Sequence, residues 1–97
     1  MKILKSSSFE KWLKKLNDDI AKLAVLRRID KIQSNNHIGD YKHIDDKIYE
    51  IRIFASAGIR IYFTFRGDEL IILLQGGDKT TQQRDIQRAK EILKDYR

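Results

Sequence analysis

Apolar residues recur at helical spacing in two segments near the N-terminus. The first segment predicts a helix over about residues 7–16, and Ser7 followed by Glu10 fits a capping box at its start. The second, over about residues 19–33, has a broader apolar face, and together the segments predict an antiparallel helix pair. The apolar positions are Phe9, Trp12, Leu13 and Leu16 in the first segment, and Ile20, Leu23, Ala24, Leu26, Ile29 and Ile32 in the second.

After the loop "SNNHIGD" the period of the pattern changes to two. "KIYEIRIF" places Tyr49, Ile51 and Ile53 on one face and Ile48, Glu50, Arg52 and Phe54 on the other, and "IRIYFTF" alternates in the same way. Such alternation of β-branched and aromatic residues predicts two strands, joined through "ASAG". A two-residue turn at Gly67-Asp68 then leads into "LIILL", which predicts a strand buried on both faces.

The chain closes with a predicted helix from about residue 82. We expect Gly76-Gly77 to end the preceding strand and free the backbone to turn. Thr80 with Gln83 fits a capping box at the start of the helix. The apolar side of this helix consists of Ile86, Ala89, Ile92, Leu93 and Tyr96.

The elements together predict an α+β fold in the order β-α-α-β-β-β-α, in one domain over residues 1–97. "MKILK" supplies the first, edge strand, and the pattern allows a short further strand at "YKHI". We expect the helix pair and the last helix to pack on one face of a small, mostly antiparallel sheet.

The strand pattern also predicts which polar residues meet. For Ile51 and Ile53 to share the core with Ile61 and Phe63, Arg52 must lie opposite Arg60 or Tyr62. The two-residue turn would place Tyr62 opposite Leu73 and Arg60 opposite Gln75. The residues expected on one open face, toward one end of the sheet, are Glu50, Arg52, Arg60, Tyr62 and Gln75, with Lys79 following at that end.

Two readings of this polar face remain open. Glu50 could join the two arginines in a surface salt-bridge cluster, worth at most about 1 kcal/mol per pair. Alternatively, Arg52 and Arg60 could form a phosphate clamp, since a guanidinium group matches phosphate oxygens in bidentate geometry. In the clamp reading neither arginine is expected to face the core, and removing one relieves like-charge repulsion and raises stability by about a few tenths of a kcal/mol.

Composition narrows the class of partner. The formal charge is +6, from 20 Lys and Arg against 14 Asp and Glu, which favours an anionic partner such as nucleic acid. The chain has no cysteine, and His37 and His43 lack metal-ligand spacing, so we expect no metal. No apolar run is long enough to span a membrane, and we expect a cytoplasmic protein without a cofactor. "GGDKTT" lacks the P-loop spacing, which argues against nucleotide binding.

Four motifs together resemble toxins of the RelE/ParE superfamily, and more narrowly the HigB-like "addiction module killer protein" branch. They are F-x-x-W-L-x-x-L, Y-E-I-R-I, G-I-R-I-Y-F and L-L-x-G-G-D-K-x-x-Q-x-x-D-I-x-x-A. In this sequence they cover Phe9 to Leu16, Tyr49 to Ile53, Gly58 to Phe63 and Leu73 to Ala89, so the resemblance runs along nearly the whole chain.

The resemblance implies the toxin of a type II toxin–antitoxin pair, with a helix-turn-helix, HigA-like antitoxin as its partner. It further implies a metal-independent endonuclease that enters the ribosome and cuts mRNA. By motif position the residues at the phosphate would be Arg52, Arg60 and Lys79. The residues predicted to bind RNA are Tyr62, Gln75, Gln82, Lys11, Lys14 and Lys15.

Glu50 departs from the family pattern, because RelE carries a basic residue at this position. Glu50 would then act as a general base or hold an arginine in place, and the proton donor stays unassigned. The alternative function implied by the superfamily is that of ParE-like members, which poison DNA gyrase by binding and do not cut RNA.

Overall fold

The computed structural model, which describes residues 1–96, has three α-helices and a five-stranded sheet in these residues. The predicted element order is confirmed, and the segment "YKHI" does form an additional strand. The strands are β1 (Lys2–Lys5), β2 (Tyr41–Asp45), β3 (Ile48–Ile53), β4 (Ile59–Arg66) and β5 (Leu70–Asp78). The helices are α1 (Ser7–Lys15), α2 (Asp19–Asn35) and α3 (Gln82–Leu93), and single 3₁₀ turns follow β5 (Lys79–Thr81) and α3 (Lys94–Tyr96).

The sheet has the strand order β1-β5-β4-β3-β2. Strands β2 to β5 form successive antiparallel pairs, whereas β1 pairs with β5 in parallel. The N-terminal strand therefore lies at one edge and β2 at the other, with β5 between the first strand of the chain and the rest of the sheet.

Helices cover both faces of the sheet, which corrects the expectation of a single covered face. Phe9 of α1 and Val25 of α2 join Ile61 and Leu73 in one core. Ala89 of α3 joins Ile48, Tyr62, Ile72 and Leu74 in a second core. Because alternate residues of β4 and β5 enter different cores, both strands are buried on both faces.

The predicted apolar face of α2 is confirmed for Ala24, Ile29 and Ile32, which lie in or against the core, and wrong for its other three residues. The buried residues of α2 are Ala21, Val25, Ile29 and Ile32. Ile20, Leu23 and Leu26, which were expected to face the core, are 70%, 48% and 45% exposed. Apolar residues occur almost all round this helix, so the periodicity does not decide which side faces the sheet.

Both predicted capping boxes are wrong in their residues. Ser6, not Ser7, caps α1, and its hydroxyl accepts a hydrogen bond from the Phe9 amide. After β5 the cap is Asp78 with Thr81, around the 3₁₀ turn that precedes α3, rather than Thr80 with Gln83. The helices themselves begin within a residue or two of the predicted positions.

The predicted register of β3 and β4 is confirmed, with Arg52 opposite Arg60 and Glu50 opposite Tyr62. The predicted register of β4 and β5 is wrong. A three-residue turn pairs Arg66 with Leu70, and an irregularity between Tyr62 and Phe63 shifts the pairing beyond it. Tyr62 consequently pairs with Gln75, and Arg60 pairs with Gly77.

Gly76 and Gly77 lie inside β5 and do not end it, contrary to the prediction. Glycine is required there by close approach. A Cβ atom on Gly76 would lie 2.2 Å from Cε3 of Trp12, and one on Gly77 would lie 1.8 Å from Oδ2 of Asp85. These two contacts bring α1 and the start of α3 against opposite sides of the same strand.

Candidate functional site

A buried carboxylate lies at the centre of the polar cluster predicted from the strands. Glu50 is 1% exposed. Its Oε1 accepts hydrogen bonds from Nε of Arg52 at 3.0 Å and Nη1 of Arg60 at 3.2 Å. Its Oε2 accepts one from Nε2 of Gln82 at 3.1 Å. The carboxylate therefore separates two like charges and ties them to the first residue of α3.

The strand geometry explains why these side chains meet. Glu50 and Arg52 are two residues apart on β3 and so project from the same face. Arg60 lies directly opposite Arg52 on β4. Opposed residues in an antiparallel pair share a face, so the two guanidinium groups would repel each other without the carboxylate between them.

The two arginines differ in exposure. The Arg52 side chain is 43% exposed and that of Arg60 is 16% exposed. A guanidinium group has five N–H donors, and each arginine uses one of them on Glu50. Both therefore keep donors for an anionic ligand while the ion pairs hold them in place.

Lys79 reaches the same end of the sheet, as the sequence predicts. It follows β5 directly and is exposed. A cleft of about 370 Å³, here called the arginine cleft, is lined by Arg52, Phe54, Arg60, Lys79 and the loop that joins β3 to β4. Three cationic side chains thus surround one concave surface.

A second cleft, of about 550 Å³ and here called the lysine cleft, adjoins the first. Arg52 and Phe54 line both clefts. The side chains on its other walls come from α2, from the segment after it, from β2 and from Glu50 of β3, and include Arg28, Lys31, Asp40, Tyr41 and Lys42. Sequence reasoning did not identify this cleft, because its walls come from segments far apart in the chain.

Tyr62 was predicted to lie on an open face of the sheet, but α3 covers it there. The ring is fully buried beneath α3, so it is not presented to a ligand. Burial, followed by the charge of Glu50, raises the pKa of the Tyr62 hydroxyl, which stays protonated at neutral pH. Tyr62 is therefore part of the floor that supports the cluster.

The remaining predicted RNA-binding residues are dispersed. Gln82 binds Glu50, as described above, whereas Gln75 accepts a hydrogen bond from the Ser8 hydroxyl and donates one to the carbonyl of Gly76. Lys11, Lys14 and Lys15 are exposed on α1, which packs on the sheet face opposite to Glu50. The structure does not bring these lysines to either cleft.

A second buried carboxylate, Asp85, lies at the start of α3. It is 3% exposed and accepts a hydrogen bond from the Thr81 hydroxyl. Burial raises its pKa above the usual 3.8. Its niche exists because Gly77 has no side chain. A glycine at the end of a strand, followed eight residues later by an aspartate in the next helix, is the sequence signal from which this contact of Gly77 with Asp85 could have been predicted.

Within residues 1–96, no three His, Asp or Glu side chains come close enough together to hold a metal ion. In the same part of the chain, no helix has the length and apolar character needed to cross a membrane.

The fold is that of the toxin RelE. The chain superposes on the free E. coli toxin RelE, carrying two arginine-to-alanine substitutions, with a TM-score of 0.64 at 13% identity over 90% of this chain and 95% of that one. The match to the intact E. coli RelBE toxin–antitoxin complex has a TM-score of 0.63 at 14% identity, over 79% and 94% of the two chains.

The chain belongs to the family described as "Phage derived protein Gp49-like (DUF891)", whose profile matches residues 11–96. A Haemophilus influenzae relative named "Uncharacterized protein" is 43% identical over 83 residues, which span 86% of this chain and 83% of the relative. The RelE-like fold predicted from the motifs is thus confirmed, while the HigB-like branch stays a prediction.

Proposed function

We propose that this protein is the toxin of a type II toxin–antitoxin system and that it cuts mRNA on the ribosome without a metal ion. The observation that carries the proposal is the arginine cleft, where Arg52, Arg60 and Lys79 converge around a concave surface. The RelE fold and the Gp49-like family support a toxin. The HigB-like branch and action in the cytoplasm are part of the same proposal.

The chemistry that fits this cleft is cleavage by the RNA's own 2′-hydroxyl. The 2′-oxygen attacks the adjacent phosphorus, the bond from phosphorus to the 5′-oxygen breaks, and the products are a 2′,3′-cyclic phosphate and a free 5′-hydroxyl. Arginine donors bind the phosphate oxygens more strongly as negative charge accumulates on them. Arg52 and Arg60 supply these donors, and Lys79 adds a third positive charge.

Glu50 acts in this scheme as a positioning residue. Its two oxygens already accept three hydrogen bonds, and its side chain is fully buried between the arginines. A general base needs access to the proton that it removes, and this carboxylate faces protein donors instead. Of its two predicted roles, we therefore propose the one in which it holds the arginines.

The proposed partner in the resting state is a cognate antitoxin, of the helix-turn-helix, HigA-like kind. The RelBE complex shows that a protein of this fold is bound by an antitoxin. A basic toxin with a cationic cleft is suited to an antitoxin that covers the cleft. We expect expression of this chain alone to stop growth and co-expression with its antitoxin to restore it.

The test is to map mRNA 5′ ends after brief induction of the protein. Cuts in phase with the reading frame, carrying 5′-hydroxyl ends, support the proposal. Intact mRNA together with cleaved DNA in gyrase complexes would replace it with the ParE-like alternative.

A matched pair of variants sharpens the test. Arg52→Ala should lower the rate of single-turnover cleavage on programmed ribosomes by about 10²–10³, the usual effect of removing one such donor. Arg66→Ala carries the same change in charge at the far end of β4, roughly 20 Å from Arg60 at the rise of a strand. Arg66→Ala should cleave at the wild-type rate.

A further inference from the structure

The most exposed large apolar side chain in the described part of the molecule lies beside the arginine cleft. Phe54 is 90% exposed, directly after the last residue of β3. Lone exposed apolar residues are common on protein surfaces and need no explanation by themselves. Phe54 differs because it lines both clefts and, with Arg52, forms their shared wall.

Two backbone hydrogen bonds close the loop that carries Phe54. Within it, the Ala55 amide binds the Ile53 carbonyl at 3.1 Å and the Gly58 amide binds the Ala55 carbonyl at 2.9 Å. Phe54 thus lies at the start of a hydrogen-bonded turn, and its ring borders both clefts.

The lysine cleft has an excess of positive charge, since four cationic side chains line it beside the carboxylates of Asp40 and Glu50. Lys31 and Lys42 are exposed on its walls. Arg28 is committed to the protein, since it donates to the carbonyls of Ile38 at 2.8 Å and Asp40 at 3.1 Å. Apart from the shared Arg52, the free cations of this cleft are therefore two lysines, while Arg60 and Lys79 line the other cleft that Phe54 borders.

A flat apolar ring between two cationic surfaces matches single-stranded nucleic acid, in which charged phosphates alternate with flat bases. Proteins that bind single strands combine these same parts, a basic groove along the backbone and aromatic rings on which bases stack. An apolar protein segment would satisfy the ring but not the cations on both sides. Charge and ring together match a single-stranded nucleic acid, and the proposed cleavage of mRNA makes that strand RNA.

We propose that Phe54 is a stacking platform for a nucleobase of single-stranded RNA. The strand runs over it from the arginine cleft, which holds the phosphate that is cut, to the lysine cleft, which holds a neighbouring phosphate. This inference rests on the proposed function and names a binding site adjacent to its cleft. Since every base has a flat face, the platform accepts any base and sets affinity rather than sequence preference.

The experiment measures binding of a short fluorescent oligoribonucleotide whose 2′-hydroxyls are methylated, so that it cannot be cut. Phe54→Ala should weaken binding about 5- to 150-fold, the usual effect of losing one stacked base. Phe54→Trp should preserve binding and show quenched emission when RNA is added. The control is Leu4→Ala, which removes an exposed apolar side chain on β1, at the opposite edge of the sheet from β2.

A second pair of variants tests the path of the backbone. Lys31→Ala with Lys42→Ala should make the plot of log affinity against log salt shallower by about 1.4, or about 0.7 for each phosphate that the protein no longer neutralises. Lys2→Ala with Lys5→Ala has the same change in charge at the β1 edge and should leave the slope unchanged. Equal slopes in the two double variants would overturn the assignment of the lysine cleft.

Cleavage on programmed ribosomes separates this inference from the proposed function. If the wild type cleaves mRNA while Phe54→Ala cleaves and binds RNA equally well, the platform is overturned and the proposed function stands. If the wild type neither binds RNA nor cleaves it, both are overturned. If Phe54→Ala weakens only the complex with the antitoxin, Phe54 belongs to that interface and the platform is again overturned.

Discussion

The effect of replacing Arg60 on stability depends on Glu50, because the two side chains form an ion pair. The charge pattern of the sequence predicts that removing an arginine relieves repulsion and stabilises the fold. The structure reverses this expectation, because Arg60 is bound to a fully buried carboxylate. Arg60→Ala would leave Glu50 with one donor fewer, and a buried acceptor that loses its partner costs about 1–3 kcal/mol.

We therefore expect Arg60→Ala to lower the free energy of unfolding by about 1–3 kcal/mol in a urea titration. Arg60→Lys should recover part of the loss, since an ammonium group keeps the charge but not the planar fork. Arg66→Ala, at the exposed end of the same strand, should be nearly neutral. If Arg60→Ala proves more stable than the wild type, relief of the repulsion between the two arginines outweighs the lost hydrogen bond to Glu50.

Asp85 makes stability depend on pH in the direction opposite to most carboxylates. Burial raises its pKa in the folded state above the usual 3.8, so the folded chain holds this proton more tightly than the unfolded chain does. The stabilising contribution is complete below about pH 3.8 and is lost as pH rises through the folded-state pKa.

Asp85→Asn removes this titration while keeping an oxygen that can accept from Thr81. Melting temperatures of wild type and variant, measured from pH 3.5 to 7, should diverge in favour of the variant as pH rises. Comparing the two proteins at each pH cancels the contributions of other groups. A difference that stays constant over this range would show that Asp85 keeps an ordinary pKa.

At the scale of the element, β5 is the strand that positions α1 and the start of α3 against the sheet. Its glycine pair admits the Trp12 ring on one side and the Asp85 carboxylate on the other. Gly76→Ala forces a methyl group to 2.2 Å from the Trp12 ring, and overpacking of this kind typically costs about 1–3 kcal/mol.

Chemical denaturation should show this loss for Gly76→Ala and a partial recovery when Trp12→Leu is added. Gly58→Ala is a useful contrast, because no atom of residues 1–96 lies within 4 Å of its Cβ position, and the positive φ of 87° is what opposes the change there. An additive double variant would mean that the ring does not contact the added methyl group.

The sequence predicts β3 and β4 well because each alternates without interruption and the apolar set fixes their register. It does not predict the register of β5, since nothing in "LIILLQGG" marks the irregularity that pairs Tyr62 with Gln75. A strand that is apolar on both faces needs other elements packed on both faces. From this property of "LIILL" the sequence could have predicted that α3 packs on the sheet face opposite to α1 and α2.

The contacts of Glu50 could be anticipated from strand pairing, but its burial could not. Whether the two arginines lie on an open surface or beneath a helix depends on where α3 packs. The link from Gln82 to Glu50, across 32 residues of sequence, follows from that packing alone. For the same reason, the exclusion of Tyr62 from solvent was not predictable from the alternation of β4.

At the scale of the whole molecule, the net charge of +6 is less informative than its distribution. The cations of the two clefts lie at one end and edge of the sheet, whereas the lysines of α1 lie on the opposite face. The proposed RNA path therefore uses five cationic side chains: Arg52, Arg60, Lys79, Lys31 and Lys42.

Five cationic side chains on single-stranded RNA predict a slope of roughly −3 to −4 in log affinity against log salt. The measurement is a fluorescence titration with the methylated oligoribonucleotide at several salt concentrations. The triple variant Lys11→Ala, Lys14→Ala, Lys15→Ala should keep this slope, although the sequence alone predicts that these residues bind RNA. A slope reduced by about 2 in the triple variant would place α1 on the RNA path.

The parallel pairing of β1 with β5 has a consequence for a chain that is still being synthesised. The first strand pairs with residues made nearly seventy positions later, since Lys2 lies beside Leu70. Until β5 has been synthesised, β1 has no neighbouring strand in the sheet, and β4 lacks one of its two neighbouring strands. Lys79 and Gln82 follow β5 in the chain and are synthesised later still. Contacts so distant in sequence slow folding. The arginine cleft is therefore completed late, after most of the chain has been synthesised, and the proposed activity has to wait for it.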